Sequence, residues 1–449
     1  MPPLTKESLT DQHHPQASSP TTMPDVTIER SNGEKKPRST LDVRIHGQWY
    51  NLAGWRKAHP AGGHWIDWYD GRDATEVMDA FHSVKARKMW QRLPKTEEQR
   101  ANQLEMDAVP DTPVQIAFRI LCKKLEQEGW WERDLVHEAK LVTIWTSLFV
   151  GAALTTKSMP GLSIILTGLM MTNAGWIGHD YVHGVDKFTD RMRMFVALAG
   201  GLGATWWSDK HNKHHALTNE IGVDEDIATD PFLFTWAPDP KHDSPLRRIQ
   251  HLIFFIPFSF LFALWRFDTI KTIIAAVKGK RNGAKQEAYA LLAHYTVLLT
   301  VFPLKIWVPA VFLSGLLSAL IVTPTHQSEE LFDEYQADFV TAQFTSTRNA
   351  VMTNPFSEWL WGGMQYQLEH HLFPAMPRSK YPKLKNILKK FAKDTNVPGG
   401  YRESGEFEIL KMNWDLYRQV AKADAVVGAP YSRGHGQLAA INLGFSWDR

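Results

Sequence analysis

Three short histidine clusters are the feature that most constrains how this chain folds. Members are spaced i, i+4 in the first cluster and i, i+3, i+4 in the other two, so on a helix each cluster lies on one face. One such cluster is more often a solvated loop pair, but three of them, each beside an apolar segment, predict one shared metal site. The clusters are His179 and His183; His211, His214 and His215; and Gln367, His370 and His371.

Composition narrows the class of site and of partner. The chain has 449 residues and a net charge of +2, which gives no argument for a nucleic-acid partner. Its single cysteine, Cys122, excludes a disulfide framework and cysteine-based zinc or iron–sulfur sites. The N-terminus has no apolar core, so we expect no cleaved signal peptide and insertion directed by an internal apolar segment.

Four apolar runs predict two helical hairpins in a membrane. Residues 141–156 and 162–177 form the first pair, and residues 289–302 and 306–323 the second. Flanking aromatic residues and glycines extend each run toward the length of about 20 residues that spans a bilayer. Lys and Arg concentrate in the segments between the hairpins, which places the polar parts of the chain in the cytosol. A fifth run, 251–265, is expected to lie in the interface, since a crossing there would separate the third histidine cluster from the first two.

The N-terminal part of the chain carries a second pattern. The segments His59-Pro-Ala-Gly-Gly63 and Phe81-His82-Ser83 resemble the cytochrome b5 family. That resemblance implies that His59 and His82 are the two axial ligands of a haem b. A bis-imidazole haem carries electrons and does not bind oxygen. Relative to the family's His-Pro-Gly-Gly turn, Ala61 is inserted here, which bears on the position of His59.

The chemistry of the histidine clusters points to redox-active metal. Imidazole suits zinc, copper, iron or nickel, and seven clustered histidines exceed one four-coordinate zinc site and suit two metal ions. A hydrolytic site needs no electron donor, whereas a haem in the same chain suggests iron used with oxygen. The Glu and Glu-x-x-His pattern of ferritin-like di-iron proteins is absent, which indicates a histidine-rich class instead.

Together with the haem segment, the boxes His179-x-x-x-His183, His211-x-x-His214-His215 and Gln367-x-x-His370-His371 resemble the front-end membrane fatty acid desaturases over residues 41–400. The resemblance implies a di-iron centre that uses O2 and inserts a cis double bond between an existing double bond and the carboxyl end, at Δ4, Δ5, Δ6 or Δ8, with Δ5 or Δ6 favoured. It implies a fatty acyl lipid or acyl-CoA substrate, NADH-cytochrome b5 reductase as electron donor, and membrane lipid as surroundings. The implied metal-binding residues are His179, His183, His211, His214, His215, His326, Gln367, His370 and His371, the seven box histidines among them being catalytic.

The expected fold is multidomain: a small α+β cytochrome b5-like haem domain precedes an all-α integral membrane domain with four transmembrane helices and a cytosolic, histidine-rich di-iron cap. The expected location is the endoplasmic reticulum membrane, with both termini and the active site cytosolic. The expected segments are a disordered tail over 1–40, the haem domain over 41–98, a linker and pre-membrane helix over 99–138, the membrane desaturase domain over 139–400 and a C-terminal tail over 401–449.

Further roles and other functions stay open from the sequence. A sphingolipid long-chain-base desaturase, a membrane fatty acid hydroxylase and a non-catalytic haem carrier are alternatives; Gln367 argues against the hydroxylase and the complete box set against the carrier. Carboxylates are expected to orient the imidazoles through their free N–H groups, while His251 and His294 are expected to be packing residues. Candidate orienting carboxylates are Asp180, Glu369 and the acidic stretch 224–231, and candidate head-group contacts are Trp206, Lys210 and Arg378.

Overall fold

The computed structural model describes residues 40–59, 63–279 and 283–429. The tail predicted over 1–40 lies outside these ranges except for its last residue, as do the inserted Ala61 and residues 430–449 of the predicted C-terminal tail.

The first folded part is a small α+β unit. Strand β1 pairs antiparallel with β2 and parallel with β3, in the order β2-β1-β3. The β1–β2 turn falls on His46 and Gly47, both with positive φ, as a tight hairpin turn requires. Its elements are β1 Asp42–Ile45, β2 Gln48–Asn51, a 3-10 turn Arg56–Ala58, α1 His64–Asp67, β3 Arg72–Asp73, α2 Thr75–Phe81 and α3 Val84–Trp90.

The stretch predicted to be a linker and pre-membrane helix contains two helices, one packed on the small unit and the other on the rest of the chain. Helix α4 (Glu98–Asp107) lies on the small unit, where Glu105 accepts hydrogen bonds from Trp49 Nε1 at 2.7 Å and from Arg44 at 3.1 Å. Helix α5 (Pro113–Gln127) begins with a capping box at Thr112 and buries Phe118 against Phe373 and Phe391. Helix α5 is amphipathic, and its apolar side packs on the helical body that follows in the chain.

A helical body follows, with α7 at its centre in contact with α6, α8, α9 and α14. Two 3-10 turns, Pro245–Ile249 and Arg378–Lys380, connect its parts. The elements are α6 Leu135–Thr155, α7 Pro160–Val182, α8 Lys187–Gly200, α9 Ala204–Ala216, α10 Gln250–Ile253, α11 Phe255–Ser259, α12 Leu261–Lys278, α13 Ala284–Val301, α14 Leu304–Val322, α15 Pro324–Gln327, α16 Phe339–Ser346, β4 Asn349–Val351, α17 Pro355–Trp361, α18 Gln367–Leu372, α19 Tyr381–Thr395, β5 Glu403–Gly405 and α20 Glu406–Lys422.

Both predicted hairpins are present as helix pairs, α6 with α7 and α13 with α14. Within the described ranges, Pro160–Val182 and Leu304–Gln327 are the two helices long and apolar enough to cross a membrane by length and composition. Helices α6 and α13 carry charged residues in their first turns, Glu138 and Glu287 among them. The run 251–265 is not one helix: it is divided between α10, α11 and the start of α12, with Pro257 inside α11.

The segment predicted to be a C-terminal tail contributes a strand and a long helix. Strand β5 pairs in parallel with β4. Helix α20 buries Ile409 and Tyr417 against the body, and Arg247, which is fully buried, donates hydrogen bonds to the carbonyls of Val420 and Ala423. The 17-residue amphipathic helix is thus part of the folded body.

The small unit sits on the histidine-bearing side of the body. Tyr69 packs in one cluster with Ala216 and Leu217, directly after the second histidine cluster. The Arg72 guanidinium lies 3.9 Å from the centre of the Tyr335 ring. Apolar packing and a cation–π contact therefore hold the two parts together.

Candidate metal centre

Short helices and helix ends deliver all the predicted histidines to one place. His179 lies in the last turn of α7, and His183 caps that helix. The second cluster lies on one side of α9, and the third occupies α18. His326 lies on α15, directly after α14. The i, i+3, i+4 spacing works as predicted, because each cluster is helical where the sequence requires it.

Five histidines form a first set, defined as His179, His183, His211, His215 and His370. One ring nitrogen from each lies within 4.8 Å of those of the other four. None of the five residues is more than 7% exposed. The Nε2 atoms of His179 and His211 are 2.8 Å apart, and those of His211 and His215 are 3.2 Å apart.

Three histidines form a second set, defined as His214, His326 and His371, again with ring nitrogens within 4.8 Å of one another. Gln367 adjoins it, with its side-chain amide 2.5 Å from His326 Nε2. The rings of His215 and His371 stack at 3.9 Å between centroids, so the two sets are in direct contact. Seven box histidines, His326 and Gln367 are all in one buried cluster.

The outer nitrogen of most of these rings is held by a hydrogen bond. Nδ1 of His214 donates to Asp224 at 2.8 Å, and Nδ1 of His183 donates to Asn212 at 2.6 Å. Such contacts fix the ring and direct Nε2 toward the cluster, as in metal sites generally. The remaining contacts of this kind are His371 to Gln343 at 2.8 Å, His370 to Tyr381 at 3.2 Å and His326 to the Ser346 carbonyl at 3.2 Å.

Electrostatics favour the neutral, metal-ligating form of the rings. Burial, together with the neighbouring histidines, lowers the pKa of His183, His215, His370 and His371 well below the usual value. For His214, burial also acts to lower the pKa, but Asp224 and Asp226 outweigh it and raise the pKa. Neutral imidazole is the form that binds metal.

The residues fit two metal ions. Among the described residues, His183 Nε2, His370 Nε2 and His371 Nε2 are buried without a hydrogen-bond partner, as is Gln367 Oε1. Neutral rings that direct Nε2 lone pairs at one another need a cation between them, because buried polar atoms are costly when unsatisfied. The first set offers five nitrogens and the second offers three, which is enough for two metal ions, and the number of bound ions stays a prediction.

The predicted orienting carboxylates divide into two groups. Asp224 contacts His214, and Asp226 lies 3.7 Å from His211 Nδ1 while pairing with Lys210. Glu369 instead accepts hydrogen bonds from Tyr401 at 2.5 Å and Asn349 at 2.6 Å.

Asp180 and the proposed head-group residues pair within the protein. Asp180 forms an ion pair with Arg378 at 2.9 Å, and Lys210 pairs with Asp226. Arg378 and Lys210 are both buried. These two basic side chains therefore neutralise internal carboxylates, and Trp206 packs against Trp265. His294, as predicted, is a buried packing residue whose Nδ1 donates to the Leu198 carbonyl at 2.8 Å.

The predicted haem ligands form a separate pair. The rings of His59 and His82 lie 6.0 Å apart between centroids, which leaves room for a metal ion bound to both at about 2 Å per bond. His82 Nδ1 donates to the Met78 carbonyl at 3.0 Å, which leaves Nε2 as the nitrogen free to bind a metal. Burial and His59 lower the pKa of His82 to about 4, which keeps the ring neutral.

A predominantly apolar cavity lies beside the histidine cluster. Both histidine sets line it, through His179, His211, His214 and His326. Its apolar wall comes from α11, α12, α14 and the loop before them, and includes Phe232, Phe258, Leu261, Phe262, Trp265 and Val322. An apolar ligand in this cavity would therefore lie next to both sets.

Sequence reasoning did not identify several residues that orient the rings. Asn212 lies inside the second box, so its position next to His211 was an available signal. Gln343 and Tyr381 come from α16 and the start of α19, and no local pattern marks either residue. Only the folded chain brings them to the histidines.

Fold and site together define a helical, histidine-rich metal-binding body fused to a haem-binding unit. The model of the family described as "Fatty acid desaturase" matches residues 156–401, and that of the "Cytochrome b5-like Heme/Steroid binding domain" matches residues 31–97. The chain belongs to the fatty acid desaturase family and carries a fused cytochrome b5-like domain. The resemblance inferred from the boxes is confirmed.

Curated relatives align along most of the chain. Delta(6)-fatty-acid desaturase fat-3 of Caenorhabditis elegans is 29% identical over 440 residues, covering 86% of this chain and 98% of that protein. Acyl-lipid 8-desaturase of Rebecca salina is 27% identical over 430 residues, covering 90% and 96%. Delta(5) fatty acid desaturase fat-4 of Caenorhabditis elegans is 27% identical over 435 residues, covering 85% and 96%.

Proposed function

We propose that this desaturase acts at the front end of a polyunsaturated acyl chain. It inserts a cis double bond between an existing double bond and the carboxyl end, at Δ4, Δ5, Δ6 or Δ8, with Δ5 or Δ6 favoured. The observation that carries the proposal is the pair of histidine sets that line one predominantly apolar cavity. Similar relatives are named as Delta(6), 8- and Delta(5) desaturases, so their names support the reaction class and leave the bond position to the shape of the cavity.

The first and second sets would each hold one iron ion. When bound, iron with O2 supplies the oxidising chemistry that removes two hydrogen atoms from adjacent methylenes and yields water. The chain's own contribution is to fix the rings: Asp224 and Asn212 hold Nδ1–H groups of His214 and His183, which raises the basicity of the ligating nitrogens. Gln367 adjoins the second set and is a further ligand through its side-chain oxygen.

His59 and His82 would hold a haem b that passes electrons toward the histidine sets. NADH-cytochrome b5 reductase is the proposed donor to that haem. With these two imidazole ligands, a bound haem would carry electrons and would not bind oxygen, which leaves oxygen to the other site. The location of the small unit on the histidine-bearing side supports this order.

The apolar cavity would bind the acyl tail, with Phe258, Phe262 and Trp265 against its methylenes. Burial of each methylene contributes about 0.8 kcal/mol, so a long tail anchors the substrate without polar contacts. The apolar lining also keeps water away from the carbon atoms that face the metals. The tail belongs to an acyl lipid or an acyl-CoA, and the two carriers differ in the head group outside the cavity.

We propose that all four helices of the two hairpins cross the membrane. Helices α6 and α7 lie between Phe81 and His183 in the chain, yet these two rings are 5.8 Å apart. Helices α13 and α14 lie between His215 and His371, which stack at 3.9 Å. Each hairpin must therefore cross an even number of times, which favours α6 and α13 as partners of α7 and α14. The proposed site is the endoplasmic reticulum membrane, with the metals, the haem unit and both termini in the cytosol.

The proposed function is tested by fatty acid methyl ester profiling of a yeast that expresses the chain and is fed eighteen- and twenty-carbon polyunsaturated acids. We expect a product with one additional double bond toward the carboxyl end, absent from a His370→Ala variant. An added oxygen atom would instead identify a hydroxylase. An unchanged acyl profile beside a desaturated long-chain base would identify a sphingolipid desaturase. The absence of every product from an iron-loaded protein would refute catalysis.

A further inference from the structure

One aromatic side chain joins the haem unit to the first histidine set. Phe81 is the last residue of α2, and His82 follows it directly. The Phe81 ring centroid lies 5.8 Å from that of His183 and 6.3 Å from that of His215, edge-on to the latter. A haem ligand and two ligands of the first set are thus separated by one peptide bond and one ring.

The contacts around Phe81 hold it in this place. It is partly buried in the cluster that contains Ala216 and Leu217. Arg119 of α5 forms an ion pair with Glu76 of α2 at 2.6 Å, and Glu76 is nearly fully buried. The start of α2 is therefore held by α5, and Phe81 at the other end of the helix is held by the apolar contacts of this cluster.

The haem side of the path is equally short. His82 faces His59 at 6.0 Å between ring centroids, the spacing assigned above to the haem iron. The connection from His82 to Phe81 is covalent. Between the two metal-binding regions the described residues offer a packed ring whose edges touch imidazoles on the far side.

We propose that Phe81 is the positioning residue for intramolecular electron transfer from the haem to the irons; this rests on the proposed function. In each transfer one ferrous haem is oxidised to ferric and one ferric iron of the histidine sets is reduced to ferrous. A second transfer, after the reductase has reduced the haem again, reduces the other iron. No bond forms or breaks and no proton moves in these steps. Phe81 contributes a packed aromatic contact that keeps the two centres at a fixed, short separation.

The test measures haem reoxidation in the full chain, loaded with haem and iron, in detergent under anaerobic conditions. The haem is reduced by a limiting amount of reductase and NADH, and its return to the ferric state is followed by absorbance after rapid mixing. Phe81→Leu keeps the apolar volume but removes the ring. We expect this variant to slow reoxidation roughly tenfold, which corresponds to about 1.4 kcal/mol in the barrier. Phe81→Tyr keeps the ring and is expected to stay close to wild type.

Tyr335→Leu is the matched control. Tyr335 is also an aromatic residue of the contact between the units, against Arg72 and Tyr69, and its described ring contacts include no histidine of either set. We expect its reoxidation rate to change less than twofold. Equal slowing in Tyr335→Leu and Phe81→Leu would overturn the proposal, because docking in general would then explain both.

Separate readouts distinguish failure of the inference from failure of the proposed function. Haem and iron content are measured for every variant, and rates are compared only per loaded molecule; Phe81→Met replaces Phe81→Leu if the latter loses haem. Wild-type haem that stays ferrous beside ferric iron would refute the proposed donor role of the haem. Rapid wild-type reoxidation that persists unchanged in Phe81→Leu would refute the role of Phe81 alone.

Discussion

At the scale of single residues, the metal centre depends on groups that never touch metal. Asp224 is the most connected of these. One carboxylate oxygen accepts from His214 Nδ1 at 2.8 Å and from the Asn219 amide at 2.8 Å, and the other accepts from the Asp226 amide at 2.8 Å. Asp224 therefore holds both the His214 ring and the loop that carries Asp226.

Asp224→Asn is expected to lower iron affinity and desaturase activity about 10- to 100-fold, the usual effect of removing such a partner from a ligating histidine. The amide keeps the shape of the side chain but lacks the charge that stabilises the Nδ1–H donor. Iron per chain, measured by mass spectrometry across a titration, and product formation report the effect. Glu225→Gln is the control, because Glu225 pairs with Lys213. Equal losses in both variants would contradict the assignment.

His326 tests whether the second set is a metal site of its own. His326→Ala leaves that set with two imidazoles and the amide oxygen of Gln367, and imidazole suits iron better than an amide carbonyl does. We expect iron to fall from about two to about one ion per chain, since the five-histidine set is intact. His251→Ala removes a histidine that belongs to neither set and should retain full iron. Full iron in His326→Ala would remove His326 from the ligands.

At the scale of elements, α20 supports the metal centre from outside. Tyr417 on α20 donates to Gln327 at 2.5 Å, and Gln327 is the neighbour of His326. Arg247, in the 3-10 turn before α10, donates a hydrogen bond to the Ala423 carbonyl at the end of α20. It also forms an ion pair at 2.6 Å with Asp243, four residues earlier in the chain. The Tyr417 and Arg247 contacts both hold the C-terminal part of the helix.

Arg247→Ala is expected to cost about 1.5–3 kcal/mol, because it leaves the buried carbonyl of Val420 without its charged donor. Thermal unfolding of the full chain in detergent, monitored by circular dichroism, should show a lower midpoint. The adjacent Arg248→Ala removes a side chain that is 48% exposed and whose hydrogen bond to the Ala423 carbonyl is open to solvent, so it should lower the midpoint less than Arg247→Ala does. Equal shifts in the two variants would mean that α20 is not held through Arg247.

Prediction from sequence succeeded where a local period encodes the contact. The box spacings place histidines on one face of a short helix, and the apolar runs give the hairpins, because both signals lie within a few turns. The sequence did not predict where α5 and α20 pack, because their apolar faces contact residues far along the chain, such as Phe118 against Phe373. Gln343 and Tyr381 were not predicted for the same reason: a contact between residues far apart in the chain is not encoded in the sequence around either of them.

At the scale of the whole molecule, the haem unit packs against the body next to the metal centre and is not connected to it by a linker alone. Apolar contacts at Tyr69, the Arg72–Tyr335 stack and the Glu76–Arg119 ion pair all join it to the body. Fusion already raises the effective concentration of the electron donor. Docking adds a fixed orientation, and it also sets a constraint on the membrane, because both units must lie on one side of it.

That constraint gives a topology prediction. If all four hairpin helices cross, the tips near Lys157 and Lys305 lie in the lumen, while α20 lies in the cytosol. Cysteines are introduced singly at Lys157, Lys305 and Lys411 in a Cys122→Ser background, which removes the chain's only native thiol. All three positions are exposed. In intact microsomes a membrane-impermeant maleimide should label Lys411→Cys at once, but Lys157→Cys and Lys305→Cys only after permeabilisation.

The two hairpins are tested separately by this design. If α6 stayed on the cytosolic surface while α7 crossed, His183 would face the lumen and Phe81 would remain in the cytosol, which their 5.8 Å contact forbids. The same reasoning applies to α13 with α14, through the His215–His371 stack. Labelling of Lys157→Cys without permeabilisation would therefore mean that the first hairpin enters and returns on the cytosolic side, and that charged α6 and apolar α7 both lie short of the opposite surface. Labelling of Lys305→Cys would mean the same for the second hairpin.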